Sequence, residues 1–190
     1  LLDIEAKLYA QVLLKRLEDW VQENNILPFY QTGFRPQSAT VDHIVALGYL
    51  AEKARNTSAK PLYCCLVDYT AAFDRVDRPT LWKKLGKWGI PPSLLQAIKS
   101  LYSNTWVRVM LAHPFLTQEI STVTGLKQGC VLAPLLFNLY TADLATALNG
   151  ANLLTPRLGK HRIPLLQYAD DVVLLDHTKT GLQRALSALH

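Results

Sequence analysis

Three aspartates stand where short apolar runs end. Leu62-Tyr63-Cys64-Cys65-Leu66-Val67 stops at Asp68, while Leu165-Leu166-Gln167-Tyr168 and Val172-Val173-Leu174-Leu175 flank Ala169-Asp170-Asp171. A carboxylate among apolar strand residues is costly unless something compensates its charge. A divalent cation suits that role, because carboxylate oxygens are hard ligands for Mg²⁺, which binds through one or two carboxylates plus substrate phosphates. If the strand ending at Asp68 lies beside the hairpin, the acids converge and could hold two metals about 3.5–4 Å apart for in-line phosphoryl or nucleotidyl transfer. A plainer reading makes Asp170-Asp171 a polar turn and Asp68 a helix cap, since Asp is favoured at both. Two separate strands that both terminate in Asp weigh toward the chemical reading.

The run at residues 62–67 is too short for a buried helix and predicts a buried strand with Asp68 at its carboxyl end. Residues 165–168 and 172–175 predict a hairpin with the acids at its turn. Apolar residues Leu2, Ala6, Tyr9, Leu13, Leu17 and Val21 recur at helical spacing, so residues 1–21 predict an amphipathic helix. Residues 27–38 carry two prolines and a glycine and read as an irregular loop, followed by a helix over 40–54. Helices are expected over 79–88 and 92–102, each with proline near its first turn. Two strands are expected over 107–110 and 115–123 around a turn at His113-Pro114. A glycine-bounded loop at 125–130 leads into a helix over 134–148. Residues 149–162 read as a polar linker, and a last helix begins near Lys179.

Four blocks, in order, resemble the reverse transcriptases, specifically those of non-LTR (LINE-type) retrotransposons. Gln31-Thr32-Gly33-Phe34-Arg35-Pro36 is similar to the family's fingers block, and Leu66-Val67-Asp68-Tyr69-Thr70-Ala71-Ala72-Phe73-Asp74 to its motif A. Residues 125–138, from Gly125-Leu126-Lys127-Gln128-Gly129-Cys130 to Pro134-Leu135-Leu136-Phe137-Asn138, resemble motif B, and Tyr168-Ala169-Asp170-Asp171 resembles motif C. Ala133 stands where Ser is commoner in motif B. The resemblance spans nearly the whole chain and implies an α+β fold: a palm-type antiparallel sheet packed on helices, with about residues 1–60 in the fingers and 61–190 mostly palm. The thumb and an endonuclease region of a longer parent protein are expected to be missing from this stretch.

The same resemblance implies roles residue by residue. Asp68, Asp170 and Asp171 would be the catalytic acids and the ligands of two Mg²⁺ ions, with Mn²⁺ as a substitute. Phe73 matches the steric gate that would exclude a ribose 2′-hydroxyl, though a ring beside a strand is also an ordinary core residue. Gln128 and Gly129 match residues lining the incoming nucleotide and template, Arg35 is a candidate for gripping the triphosphate, and Tyr69 and Ala72 would pack near the nucleotide. The implied partners are an RNA template, a DNA primer and deoxynucleoside triphosphates. A group II intron-type enzyme and a non-catalytic RNA-binding palm remnant are the alternatives.

Composition agrees with a globular domain that has an anionic partner. The 190 residues are 49% hydrophobic and 18% charged, and 20 Lys and Arg against 15 Asp and Glu leave a net charge of +5. Three cysteines, two adjacent, make no disulfide framework or zinc spacing, and the five histidines fall in no metal-ligand pattern. No apolar stretch reaches membrane-spanning length, so no membrane partner is expected. No basic import run is visible, although target-primed synthesis would imply the nucleus. Lys83, Lys84 and Lys87 with Trp82 and Trp88 read as solvated lysines and buried tryptophans on one helix rather than as a nucleic-acid contact.

Overall fold

Apolar runs at three places along the chain become one sheet, and the other described elements are helices and short two-stranded ladders. The computed structural model describes residues 4–56, 60–103, 105–112 and 115–189. In chain order the elements are α1 (Ile4–Glu23), α2 (Thr40–Asn56), β1 (Tyr63–Val67), α3 (Arg78–Lys87), α4 (Pro92–Tyr102), β2 (Trp106–Val107), β3 (Met110–Ala112), β4 (Phe115–Leu116), β5 (Ile120–Ser121) and α5 (Ala133–Thr141). There follow α6 (Leu144–Ala147), a 3-10 turn (Leu148–Ala151), β6 (Arg157–Leu158), β7 (His161–Arg162), β8 (Leu165–Tyr168), β9 (Asp171–Asp176) and α7 (Lys179–Leu189). They form two units, one of Leu1–Ile26 with Ala71–Tyr140 and the other of Leu27–Thr70 with Thr141–His190.

The second unit is built on an antiparallel sheet of order β1-β9-β8. Successive strand residues face opposite sides, so the apolar runs of β8 and β9 require cover on both. By contrast β1, expected as a buried strand, is an edge strand whose Leu66 is 82% exposed and whose Cys65 and Val67 are only half-buried against the core. On one side Leu165, Val172 and Leu174 pack with Leu148 and with Ala185 of α7; on the other Leu166 and Leu175 pack with Ile163 and with Leu50 of α2. Leu165, Leu174 and Leu175 are fully buried, and truncating one to Ala would cost about 2–5 kcal/mol. At the far end of β9 the buried Asp176 carboxylate accepts from Leu154 N, Thr178 N and Thr178 Oγ1, while Thr178 Oγ1 caps α7 by accepting from Gly181 N. These bonds fix where the strand stops and the helix starts.

In the first unit α1 packs on α4, and α4 on α3. Asp77 caps α3 by accepting from Thr80 N, and Pro79 occupies its first turn, where a missing N–H costs nothing. α5 buries an unbroken run from Leu135 to Leu139. Trp82 and Trp88 are half-buried, Lys83 and Lys87 are exposed, and Lys84 reaches across to donate to Tyr140 O.

Several expectations change. The buried stripe of α1 is Ala10, Leu13, Leu17, Trp20 and Val21, so Tyr9 faces out and the smaller Ala10 faces in. The helix expected over 134–148 breaks at Thr141, because Thr and Asp compete with helical bonding; the Asp143 carbonyl then accepts from Thr146 N and Ala147 N to restart a short turn. The two strands expected over 107–110 and 115–123 divide into two ladders, β2 with β5 and β3 with β4; between them Val109 N donates to Thr117 Oγ1, and the β3-β4 register shifts between Met110 and Ala112. The expected turn at His113-Pro114 and the start of the first helix lie outside the described residues. The polar linker contains a small hairpin, β6 with β7. Cys64, Cys65 and Cys130 are all free. Among the described residues no helix is long and apolar enough to cross a membrane.

Candidate active site

The sheet register brings the three acids to one end of the second unit. Val67 is opposite Val172, so the next residues along the two strands are Asp68 and Asp171. Tyr168 pairs with Asp171 across the hairpin, which leaves Ala169 and Asp170 as the turn. Asp68 and Asp171 are exposed and Asp170 is half-buried, so these acids project from the end of the sheet rather than lying among apolar side chains.

The turn is held in a conformation that Ala does not favour. Ala169 has φ of +55°, which costs a non-glycine residue about 1–3 kcal/mol unless its surroundings enforce it. The enforcement comes from two fully buried glutamines. Gln31 Oε1 accepts from Ala169 N at 3.2 Å and from Gly33 N at 2.9 Å, while Gln167 Nε2 donates to Ala169 O at 3.0 Å. Residues 30–32 run parallel to β8, with Gln167 N donating to Tyr30 O and Thr32 N donating to Gln167 O. Gly33 is required there, because a Cβ would stand 2.3 Å from Ala169 N. The composition of residues 27–38 suggests an irregular loop and gives no sign that it clamps the acid turn.

Asp68, Asp170 and Asp171 accept no hydrogen bond and form no ion pair among the described residues, in contrast to the fully engaged Asp176. Free, solvent-facing carboxylates are suitable donors for a hard divalent cation. Among the described residues no three His, Cys, Asp or Glu side chains close on a single ion. That fits an ion held by one or two carboxylates with the rest of its shell supplied by phosphate oxygens and water.

Arg35 lies in this unit, with Nη1 donating to Pro28 O at 2.8 Å and to Gln31 O at 3.2 Å, so it braces the loop. Tyr69 is half-buried against Val172 and its neighbours in the core, and burial raises the pKa of its phenol. His43, opposite Thr32 Oγ1 at 3.2 Å, has its pKa lowered by burial.

Ala72, Phe73, Gln128 and Gly129 belong to the first unit. Phe73 stacks on Phe137 with ring centroids 4.5 Å apart and an interplanar angle of 20°. Gln128 Nε2 donates to Asp74 Oδ1 at 3.2 Å, Ala72 is half-buried, and Gly129 is exposed with φ of +76°. Gly125 lets the two motif segments meet, since a Cβ there would lie 2.7 Å from Asp74 O and its φ is +78°. Buried Arg78, which nothing in the sequence singles out, ties this loop to its surroundings: Nε donates to Gly125 O at 2.6 Å, and Nη1 to Thr122 O at 2.9 Å.

A family model described as reverse transcriptase (RNA-dependent DNA polymerase) matches residues 1–190. Among known proteins, "Probable RNA-directed DNA polymerase from transposon BS" of Drosophila melanogaster is 31% identical over the whole chain, which covers 21% of that protein. The Pol polyprotein of the type-1 retrotransposable element R2 of Popillia japonica is 26% identical over 96% of the chain and 25% of its own length. The polymerase of mobile element jockey from Drosophila funebris is 30% identical over 96% of the chain and 19% of its own length. The chain thus spans a quarter or less of these relatives. A solved telomerase from Candida albicans, in complex with a fragment of telomeric RNA, shares the fold, with a TM-score of 0.58 at 12% identity over 95% of this chain and 31% of that one. Apo telomerase from Candida tropicalis does so equally, at 0.58 and 13% identity over 97% of this chain and 36% of that one.

Proposed function

The chain belongs to the reverse transcriptase (RNA-dependent DNA polymerase) family, and we propose that it carries the nucleotidyl-transfer centre of a non-LTR retrotransposon polymerase, which copies an RNA template onto a DNA primer from deoxynucleoside triphosphates. The observation that carries this reading is the β1-β9-β8 register, which brings Asp68 and Asp171 to one sheet end beside the Asp170 turn.

Asp68, Asp170 and Asp171 would hold two divalent ions, Mg²⁺ or Mn²⁺, which when bound supply the charge that activates the primer hydroxyl and neutralises the triphosphate. The protein's own work is placement. Gln31 and Gln167 keep the Ala169-Asp170 turn from relaxing, so the acids are preorganised before substrate arrives. Phe73, its ring seated on Phe137, would reject a ribose 2′-hydroxyl, while Gln128 and Gly129 would line the nucleotide and template. Arg35 would reach the triphosphate only with guanidinium donors that its brace leaves free, since Nη1 is already spent on two carbonyls.

Primer extension on an RNA template with Mg²⁺ and labelled deoxynucleotides tests the reading. An Asp170→Asn, Asp171→Asn form should lose about a thousandfold or more, the several kcal/mol of transition-state charge stabilisation that metal ions supply. Equal extension by both forms, or none by the unaltered chain, would overturn it.

A further inference from the structure

In the second unit α2 covers the sheet with one side only. Leu50 is buried and Leu47 half-buried against Ile163, Leu166 and Leu175, while Val41, Val45 and Ile44 on the other side are 58%, 64% and 67% exposed, with exposed Tyr49 beside them. The helical repeat stacks residues 41, 44, 45, 48 and 52 into one stripe, and an uncovered apolar stripe of this kind marks an interaction surface. Its two halves differ in shape. The first half is a ridge of branched side chains. In the second half nothing beyond the helix's own backbone stands within 4 Å of where a Cβ on Gly48 would be, and a hollow of about 440 Å³ is lined by Gly48, Ala51, Glu52, Arg55 and Asn56.

The charges are divided in the same way. Asp42 stands in the first turn of α2 and Lys53 in the last. They are about three turns apart and so lie on one edge of the stripe, while Ile44 and Ala51, about two turns apart, share the opposite edge. Neither Asp42 nor Lys53 forms an ion pair among the described residues: Asp42 accepts from Ala39 N, and Lys53 donates to Arg157 O and lies over the Tyr49 ring.

We propose that this face binds a second copy of the chain, the two α2 helices packing antiparallel about a two-fold axis. Both edges select the same register. With the axis between Leu47 and Gly48, each Asp42 stands level with the partner's Lys53, and each Ile44 stands level with the partner's Ala51 and fills the hollow there. A two-fold interface must be self-complementary, and this stripe is: ridge meets hollow and acid meets base. Gly48 lies beside the axis, where a missing side chain lets the two backbones approach closely. A parallel pairing would instead set ridge against ridge and Asp42 against its own copy. The pairing uses none of the three catalytic acids and does not depend on the nucleotidyl-transfer reading.

The test is sedimentation equilibrium of the full chain across a range of concentrations, with circular dichroism to check that each variant is folded. The unaltered chain should pass from monomer to dimer. Ile44→Asp, which carries a carboxylate into the hollow beside the partner's Glu52, should weaken association about tenfold or more. Asp42→Lys and Lys53→Glu should each do the same, because the two-fold axis makes every charge reversal produce two like-charged pairs. An equimolar mixture of those two variants should recover dimer of about native affinity, since both pairs across the mixed interface are then of opposite sign. A chain that stays monomeric at every concentration would overturn the proposal and leave the stripe to a different partner. A dimer indifferent to all three variants would overturn it too, placing the contact on another face. So would a mixture that fails to recover the dimer, which would rule out the antiparallel register.

Discussion

As the proposed steric gate, Phe73 would join selection to the packing that its ring already does. Stacked on Phe137 it cannot swing away, and a fixed obstacle discriminates better than a mobile one. Phe73→Val should therefore raise ribonucleotide incorporation relative to deoxynucleotide by about tenfold or more, read as the ratio of kcat/KM for the matched pair of substrates; an unchanged ratio would return Phe73 to the core. Asp176 is the opposite case, an acid at the far end of β9 from the candidate site, with structural duties. Its carboxylate satisfies Leu154 N and Thr178 N in a fully buried pocket, so Asp176→Ala should cost about 2–4 kcal/mol in denaturant unfolding, because two buried donors are left unpaired.

At the scale of elements, the loop at residues 30–33 and the β8-β9 turn act as one clamp. Gly33→Ala drives a Cβ into the Ala169 backbone, which has no freedom to yield, so the variant should lose about 1–3 kcal/mol of stability. It should also lose more polymerase activity than its remaining folded fraction accounts for. A pure loss of folded protein, with full specific activity in what remains, would show that the clamp does not set the acid geometry. α2 contributes a pH dependence through His43. Burial holds its pKa below the ordinary 6.5 in the folded state, so at acid pH the unfolded chain binds more protons. Stability should accordingly fall as pH drops through about 6.5 and level off below the folded pKa. Unfolding midpoints measured at about pH 7.5 and about pH 5.5 should differ in the native chain and converge in His43→Gln.

For the whole molecule, the net charge of +5 favours an anionic partner without singling out nucleic acid, which the proposed function supplies. Oligonucleotide affinity should therefore fall steeply with salt, with a log-log slope of about −0.7 for each phosphate contacted on a single strand; a flat dependence would argue that stacking alone carries the affinity. The helices leave apolar side chains uncovered, Ile4, Leu8 and Val12 on α1 and Val41, Ile44 and Val45 on α2. With so much apolar surface exposed, the chain should scatter more light as its concentration rises.

The acids, the strands that carry them, the helices flanking them and the family they imply were legible from residue type and order, because each depends on local pattern: an apolar run of strand length, an Asp at its end, a proline at a helix start. The roles of Gln31, Gln167 and Arg78 were not. A buried amide or guanidinium looks like any polar residue until distant segments supply its partners, and only packing turned Gln31 toward Ala169 or Arg78 toward Gly125. Likewise the choice of Ala10 over Tyr9 for the core was decided by tertiary neighbours competing with local preference. The sequence determined which groups could do the chemistry; the tertiary structure decided which of them are held still, because holding requires contacts between residues far apart in the chain.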